Sequence, residues 1–597
     1  MALSAPQTAM YALFGLLLAS LAFACCARAQ DEPAPPLPAP SRFRVVIEAP
    51  RPYQRMLEDG LDLVRWQRDQ RMTPELLERL VAEARTAVEQ AMAAEGYFEP
   101  KVRTAIEPGP EMSTVRITVD PGERTRITDV NLRFEGTITN DTTADRERIT
   151  KVRNEWSLRR GAPFRQADWD NAKRNALASL RGGRYASASI TNSAARIDPE
   201  KRTAVLEVTF DSGPVFHVGE VRVSGLTRYP ESIVQNLNPM TPGEEYDRDR
   251  LILYQRRLLQ TGYFSTVQMT VDPDPAHAEA APLLVTVFEA RTQRVETGVS
   301  FSTDTRLRLQ LDYGHSDLFE SAYRLRTLLQ ADARAQSGEV SIDTPPEPGG
   351  YWNTYSSRLR RTNIQGQRTQ EAMVGAARNW GPWTTPSQIA VSAHLEQKDI
   401  AGSAGESVHA VFLGYRRTFR HTDELVQPRR GIIGTLQLGT SVPGLATRQF
   451  VRGTAKATLL WPLGSEADLT LRGEIGVVLA SARFGIPSSF LFRTGGDQTV
   501  RGYAFESLGV RQGDATVGGR YMALGSVEYT RWITPDWGAA VFMDAGDAFD
   551  EPRAFRAARG YGVGARWRSP VGPFRADLAY GERTRNVRLH FSVGFTF

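Results

Sequence analysis

The chain has 597 residues, with 73 Lys and Arg against 68 Asp and Glu, so its formal net charge is +5. Its length suits about three to five domains at roughly 150 residues each. Its charged fraction of 24% and mean hydropathy of −0.35 exclude a multi-helix transporter, but not a β-barrel, whose alternating strands average to a polar composition. The small positive surplus is spread along the chain and gives no argument for nucleic acid as a partner.

The first element is an apolar run, residues 11–24 (YALFGLLLASLAFA), followed by Ala27-Arg28-Ala29. A hydrophobic core with an A-x-A site marks residues 1–29 as a secretory signal, although no Lys or Arg precedes the run. Fourteen residues fall short of the roughly 20 that a membrane-spanning helix needs. Both cysteines, Cys25 and Cys26, lie inside this segment. The exported chain is therefore expected to lack cysteine, which removes disulfide scaffolds, thiol catalysis and cysteine-based zinc sites. Residues 30–41 are Pro-rich and are expected to form an extended linker.

A repeat follows. Gly96-Tyr97-Phe98 recurs loosely as Gly182-Gly183-Arg184-Tyr185 and again as Gly262-Tyr263-Phe264, with glycine spacings of 87 and 79 residues. Each copy ends a helical pattern. Leu77, Leu80, Val81, Ala84, Val88, Ala91 and Met92 recur every three to four residues after Thr73-Pro74, and Leu251, Tyr254 and Leu258 do so in the third copy. The glycine suits a helix C-cap. Each copy opens with a short strand near residues 45, 127 and 218, and closes on an alternating one, the last at residues 283–288. The unit is therefore β-α-α-β-β, about 80 residues long, at 42–122, 123–213 and 214–292.

Beyond residue 293 the helical periodicity stops and short alternating segments run to the end. Val587, Leu589, Phe591, Val593, Phe595 and Phe597 share one face of an eleven-residue strand, the length of a tilted transmembrane strand. A soluble β-sandwich would leave such a row as an aggregation hazard, which lipid contact removes. Residues 293–597, at about 19 per strand and connection, give sixteen strands of a transmembrane barrel.

One loop stands out: Gly495-Gly496-Asp497-Gln498-Thr499-Val500-Arg501-Gly502-Tyr503, in a Gly-rich stretch between alternating segments. In the next hairpin Glu528 and Asp544 fall on the lumen face. Both are eight residues from Asp536, so a hairpin symmetric about Asp536 puts them opposite each other. Facing like charges destabilise a sheet, and a loop arginine folded into the lumen would bridge them with its planar fork. Paired carboxylates also suit acid–base catalysis, but no Ser/His pair or sugar-binding array accompanies them. No P-loop, HExxH pattern or metal-ligand cluster is present, so neither a cofactor nor an enzyme is expected. The junction of the first and last barrel strands is the remaining candidate. Gly298 and Gly594 weaken pairing there, beside the terminal Phe597, and make this seam the expected place to part.

Three β-α-α-β-β units before a sixteen-stranded barrel, with Val500-Arg501-Gly502-Tyr503 in a loop, resemble the POTRA-barrel outer-membrane insertases. Further matches are Gly518-Gly519, Ser526-Val527-Glu528-Tyr529, Val541-Phe542-Met543-Asp544-Ala545-Gly546 and Ser569-Pro570-Val571-Gly572-Pro573. The resemblance implies that acidic residues at Glu528 and Asp544 hold Arg501 inside the barrel. Three POTRA units point to the TamA branch, against five in BamA-like members and two in two-partner secretion transporters. The second unit departs from the usual glycine–aromatic pair, with Arg184 between Gly183 and Tyr185. The implied function is insertion or translocation of outer-membrane proteins, autotransporter-like ones among them, without ATP. The implied partners are those clients, the bilayer and a TamB-like inner-membrane-anchored protein. A two-partner-type secretion pore is the alternative.

Overall fold

The computed structural model describes residues 42–597 apart from 70–71, 111, 425–427, 570–571 and 597, so the proposed signal and the linker lie outside the described residues. The first repeat unit comprises β1 (Phe43–Glu48), α1 (Arg51–Gly60), α2 (Asp62–Arg65), α3 (Pro74–Ala94), β2 (Lys101–Glu107) and β3 (Ser113–Asp120). Thr73 caps α3 by accepting the Leu76 N–H on its hydroxyl, with Pro74 in the first turn, where a missing N–H costs nothing. The apolar stripe of α3 (Leu77, Val81, Val88, Met92) meets Val115, Ile117 and Val119 in one core.

The second unit follows the same plan: β4 (Arg126–Glu135), α4 (Thr143–Glu155), α5 (Gln166–Arg181), β5 (Ser189–Asp198) and β6 (Thr203–Asp211). Its displaced aromatic keeps the usual place, since Tyr185 is buried and its hydroxyl donates to the Asp145 carboxylate. The third is β7 (Val218–Ser224), α6 (Ser232–Asn236), α7 (Arg248–Gln260), β8 (Phe264–Val271) and β9 (Ala281–Glu289).

Each sheet has three strands, ordered β1-β3-β2, β4-β6-β5 and β7-β9-β8. The closing strand is therefore central. Residues 283–288 are thus not an outer strand and offer no unpaired backbone edge. β9 pairs in parallel with β7 and antiparallel with β8. Its Leu283, Val285 and Val287 are buried, and the strand with the most apolar inner face takes the centre, where a neighbour on each side screens it from water. The edges are β7 and β8.

Among the described residues sixteen antiparallel strands close into a barrel. They begin with β10 (Gln293–Ser302), β11 (Arg306–Leu318), β12 (Tyr323–Ala331), β13 (Ala335–Asp343), β14 (Trp352–Ile364) and β15 (Gln367–Trp380). Next come β16 (Ser387–Ile400), β17 (Glu406–Thr422), β18 (Gly431–Ala446), β19 (Val451–Pro462) and β20 (Ala467–Leu479). A long loop then carries a small hairpin, β21 (Val510–Gln512) and β22 (Ala515–Val517). The wall resumes with β23 (Tyr521–Trp532), β24 (Trp537–Phe549), β25 (Ala558–Ser569), β26 (Gly572–Gly581) and β27 (Asn586–Thr596). Outward residues such as Val299, Leu309, Leu359, Val527, Val541 and Leu589 are exposed, the belt a bilayer requires.

The third unit is joined to the barrel by more than the chain. Tyr263 donates its hydroxyl to the Ala322 carbonyl in the turn after β11 at 2.6 Å, and Arg324 donates to the Thr261 carbonyl. At the end of β9, Glu289 accepts the Thr227 and Arg228 N–H groups at 2.9 and 2.8 Å and the Arg228 guanidinium at 2.9 Å.

Candidate functional site

The loop between β20 and β23, residues 480–520, is tied to opposite walls. On one side a single helical turn, Ser488–Phe490, meets β15 and β16. The Ser488 N–H and hydroxyl donate to Glu396 at 2.9 and 2.8 Å, Ser489 donates to Glu371 at 2.8 Å, and Lys398 donates to the Ile486 carbonyl at 3.1 Å. Phe490 packs on Phe412 and Phe450, with ring centroids 4.7 and 4.9 Å away. None of these partners was identified from the sequence.

On the other side Arg501, 2% exposed, lies among carboxylates. Its Nε and Nη2 donate to the two oxygens of Asp544 at 2.7 and 2.9 Å, and its backbone N–H also reaches Asp544 at 3.0 Å. Nη1 donates to Glu528 at 2.6 Å and to Asp577 at 3.1 Å. The guanidinium carbon lies 3.3 Å from the Phe542 ring centroid, so a cation–π contact adds to the ion pairs. Arg566 on β25 completes the network, donating to Glu528 at 3.0 Å and to Asp577 at 2.5 Å.

The structure thus brings Arg501, Glu528 and Asp544 together, but not as a symmetric pair. Glu528 faces Phe542, and Asp544 faces Ser526. The turn at residues 533–536, closed by Ile533 N–H to the Trp537 carbonyl at 2.8 Å, centres the hairpin on Pro535 and not on Asp536. The carboxylates are therefore diagonal neighbours, which leaves room for the guanidinium between them. Asp577, Arg566 and Phe542 were missed in the sequence because alternation gives a residue's face, not its height or its neighbour in the wall.

One missed signal was legible. Gly560, Gly562 and Gly564 occupy successive inward positions on β25. A Cβ at Gly560 would collide with the Arg501 carbonyl, so the loop backbone can lie against the wall there, while Gly562 makes room for the Phe542 ring and Gly564 for the Asp577 carboxylate and Arg566. Gly502 has φ +90°, and a Cβ there would lie 2.8 Å from the Gly581 nitrogen. Val500 and Tyr503 pack with Leu508 and Ala558, and Tyr503 donates to the Arg559 carbonyl at 3.0 Å. Gly495 and Gly496 have φ of +104° and +111°. This buried polar cluster fixes a position: its net stabilisation is modest, but removing one charge strands the others at a cost of about 3–5 kcal/mol.

At the seam β10 pairs with β27 at five positions among the described residues, from Gly298↔Thr596 to Ser302↔Ser592, against the thirteen-residue length of β14, which pairs throughout with β15. Gly594 faces Ser300 within that overlap. Phe597 lies outside the described residues.

Residues 289–597, more than half the chain, match the family model described as the Omp85 superfamily domain. The chain belongs to the Omp85 superfamily. Residues 216–290 match a POTRA model described as surface antigen variable number repeat, and residues 50–121 match the POTRA domain TamA domain 1. Among solved structures, BamA from Haemophilus ducreyi lacking POTRA domains 1–3 is similar at a TM-score of 0.60 and 16% identity, over 79% of this chain and 100% of that one. It shares the fold. CdiB from Acinetobacter baumannii, at 14% identity over 80% of this chain and 91% of that one, has a TM-score of 0.45, too low to add an argument. This Omp85 barrel lies in the outer membrane with its POTRA units in the periplasm, and its work is outer-membrane protein insertion or secretion.

Proposed function

We propose that this Omp85 member inserts client barrel proteins, autotransporter-like ones among them, by letting a client strand pair at the seam. It does so without ATP and without catalysing a covalent step. The observation that carries this reading is the five-pair junction between β10 and β27. An unpaired backbone group in lipid costs several kcal/mol, so a strand that offers new partners to β10 gains as it enters the membrane. The energy comes from the client's own pairing and burial. The POTRA units receive the client in the periplasm, and the match of residues 50–121 to TamA domain 1 supports a TamB-like inner-membrane-anchored partner.

A secretion pore differs in one respect that matters here: it must clear its lumen. The loop ties on both β15–β16 and β23–β26 weigh against that. Two measurements on the purified protein in liposomes separate the readings. Faster folding of a client barrel with low ion conductance supports insertion. Steady conductance without any effect on client folding overturns it.

A further inference from the structure

The tip of the loop is tied to both sides of the seam by residues outside the Arg501 network. Asp304 lies in the turn after β10, and its carboxylate accepts the Asp497 N–H at 2.6 Å. A Cβ at Gly496 would collide with that carboxylate, so glycine is what allows the approach. From the other side, His590 on β27 accepts the Gly502 N–H on Nε2 at 2.9 Å. The strand ladder of the seam ends at Ser302↔Ser592, with one more backbone bond from the Thr303 N–H to the Phe591 carbonyl at 3.1 Å. Asp304 stands two residues past Ser302 and His590 two residues before Ser592, so they flank the end of the ladder. His590 Nδ1 is 3.8 Å from Asp304 Oδ1, and both side chains are nearly fully buried. A histidine that accepts on Nε2 carries its proton on Nδ1, here on the Asp304 side.

We propose that Asp304 and His590 staple the loop tip across the seam, so that the first and last strands part only when they release the segment from Gly495 to Tyr503. This rests on the reading that the seam parts during insertion. Both are positioning residues: they act on the seam through the loop and touch no client. The staple joins the two candidate features, loop and seam, into one device.

The staple has a proton dependence. Burial, and then the neighbouring Asp304 charge, push the Asp497 carboxyl up to about 6. The other charged groups here are Arg334, which donates to the Asp304 carbonyl, Arg588 and His590 on β27, and Arg308 and Arg575, which line the same cavity. A carboxyl raised in the folded protein favours the folded contact while protonated. The Asp304 tie is therefore firm below the ordinary aspartate range, and it weakens as pH rises through about 6. The His590 tie runs the other way, because protonating Nε2 removes the acceptor for Gly502.

The test uses the full-length protein in liposomes with no client present, with Cys25 and Cys26 replaced by serine. A nitroxide at Gln498→Cys reads loop mobility. In separate samples, the rate of disulfide formation between Phe301→Cys and Val593→Cys, which face each other, reads seam closure. Asp304→Ala and His590→Ala should each raise the mobile fraction, and slow the disulfide, by about three- to tenfold, the worth of one buried hydrogen bond. Asp304→Asn keeps an acceptor and should restore most of both. Asp497→Asn should abolish the loosening between pH 5 and 7. A loop that mobilises while the disulfide forms at its original rate overturns the staple, as does the absence of any change in either readout. If the coupling holds but a locked seam still assembles clients, the staple stands and the insertion reading fails.

Discussion

Arg501 has five donor contacts to three carboxylates, and no smaller cation can replace that fork. Arg501→Ala should leave Asp544 buried without its guanidinium and Glu528 with Arg566 alone, and release the loop, at about 3–5 kcal/mol. Client assembly should collapse while the amount of folded barrel, judged by heat-modifiable migration, stays near normal. A variant with full activity and an immobile loop would refute this. Arg501→Lys should rescue in part only, since an ammonium cannot grip both Asp544 oxygens while reaching Glu528. A second residue prediction concerns Glu289. Its side chain is buried, which raises a carboxyl, but hydrogen bonds from Thr227 and Arg228 outweigh this and hold it down to about 2. The stability it gives is complete above the usual glutamate value and fades as pH falls from about 4.5 towards 2. The urea midpoint of the helical signal should drop across that window in the unmodified protein. Glu289→Gln should flatten the drop and cost about 1.5–3 kcal/mol at neutral pH.

At the level of elements, the central place of β9 decides where an extended partner can add. The outer strands of the third sheet are β7 and β8, and Val218 at the start of β7 already bonds to Gly243 and Glu244, so β-augmentation is confined to the rest of β7 and to β8. A proline on β7 at a position whose N–H points away from β9 should weaken binding of a TamB-like or client segment and leave the unit folded. Leu284→Pro on β9 should unfold it, because both neighbours bond to that strand. Equal binding by every edge variant would remove augmentation from the account. The same strand shows what was legible. Periodicity alone located α3, α7 and the closing strand of each unit, since amphipathic spacing is a local property. It did not order the strands, because order depends on which apolar face is most fully covered, and Leu283, Val285 and Val287 reveal that only beside β7 and β8. The site divides in the same way. Arg501, Glu528 and Asp544 follow from one loop and one hairpin. Asp577, Arg566 and His590 come from three further strands, and the ties of Ser488 and Ser489 to Glu396 and Glu371 come from across the lumen, so no local pattern links them.

For the whole molecule, closure is the governing constraint. A disulfide between Phe301→Cys and Val593→Cys should abolish client assembly, and reduction should restore it; a locked barrel that assembles clients at the original rate would end the seam mechanism. The loop's attachment at both walls has a mechanical consequence as well. A barrel wall is a hoop, and a hoop braced by a spoke resists flattening along that spoke. Here the spoke runs from β15–β16 to β23–β26, so thermal distortion is channelled into the short-laddered arc at β10 and β27, which the loop holds only through single hydrogen bonds to Asp304 and His590. Stiffness is then distributed unevenly around the circumference. Amide hydrogens of β15, β16, β23 and β24 should exchange slowest and those of β10 fastest, a gradient that follows the bracing and not depth in the membrane. Cutting the loop backbone between its two anchors, with a protease site inserted beside Gln498, should level that gradient without removing a single wall strand.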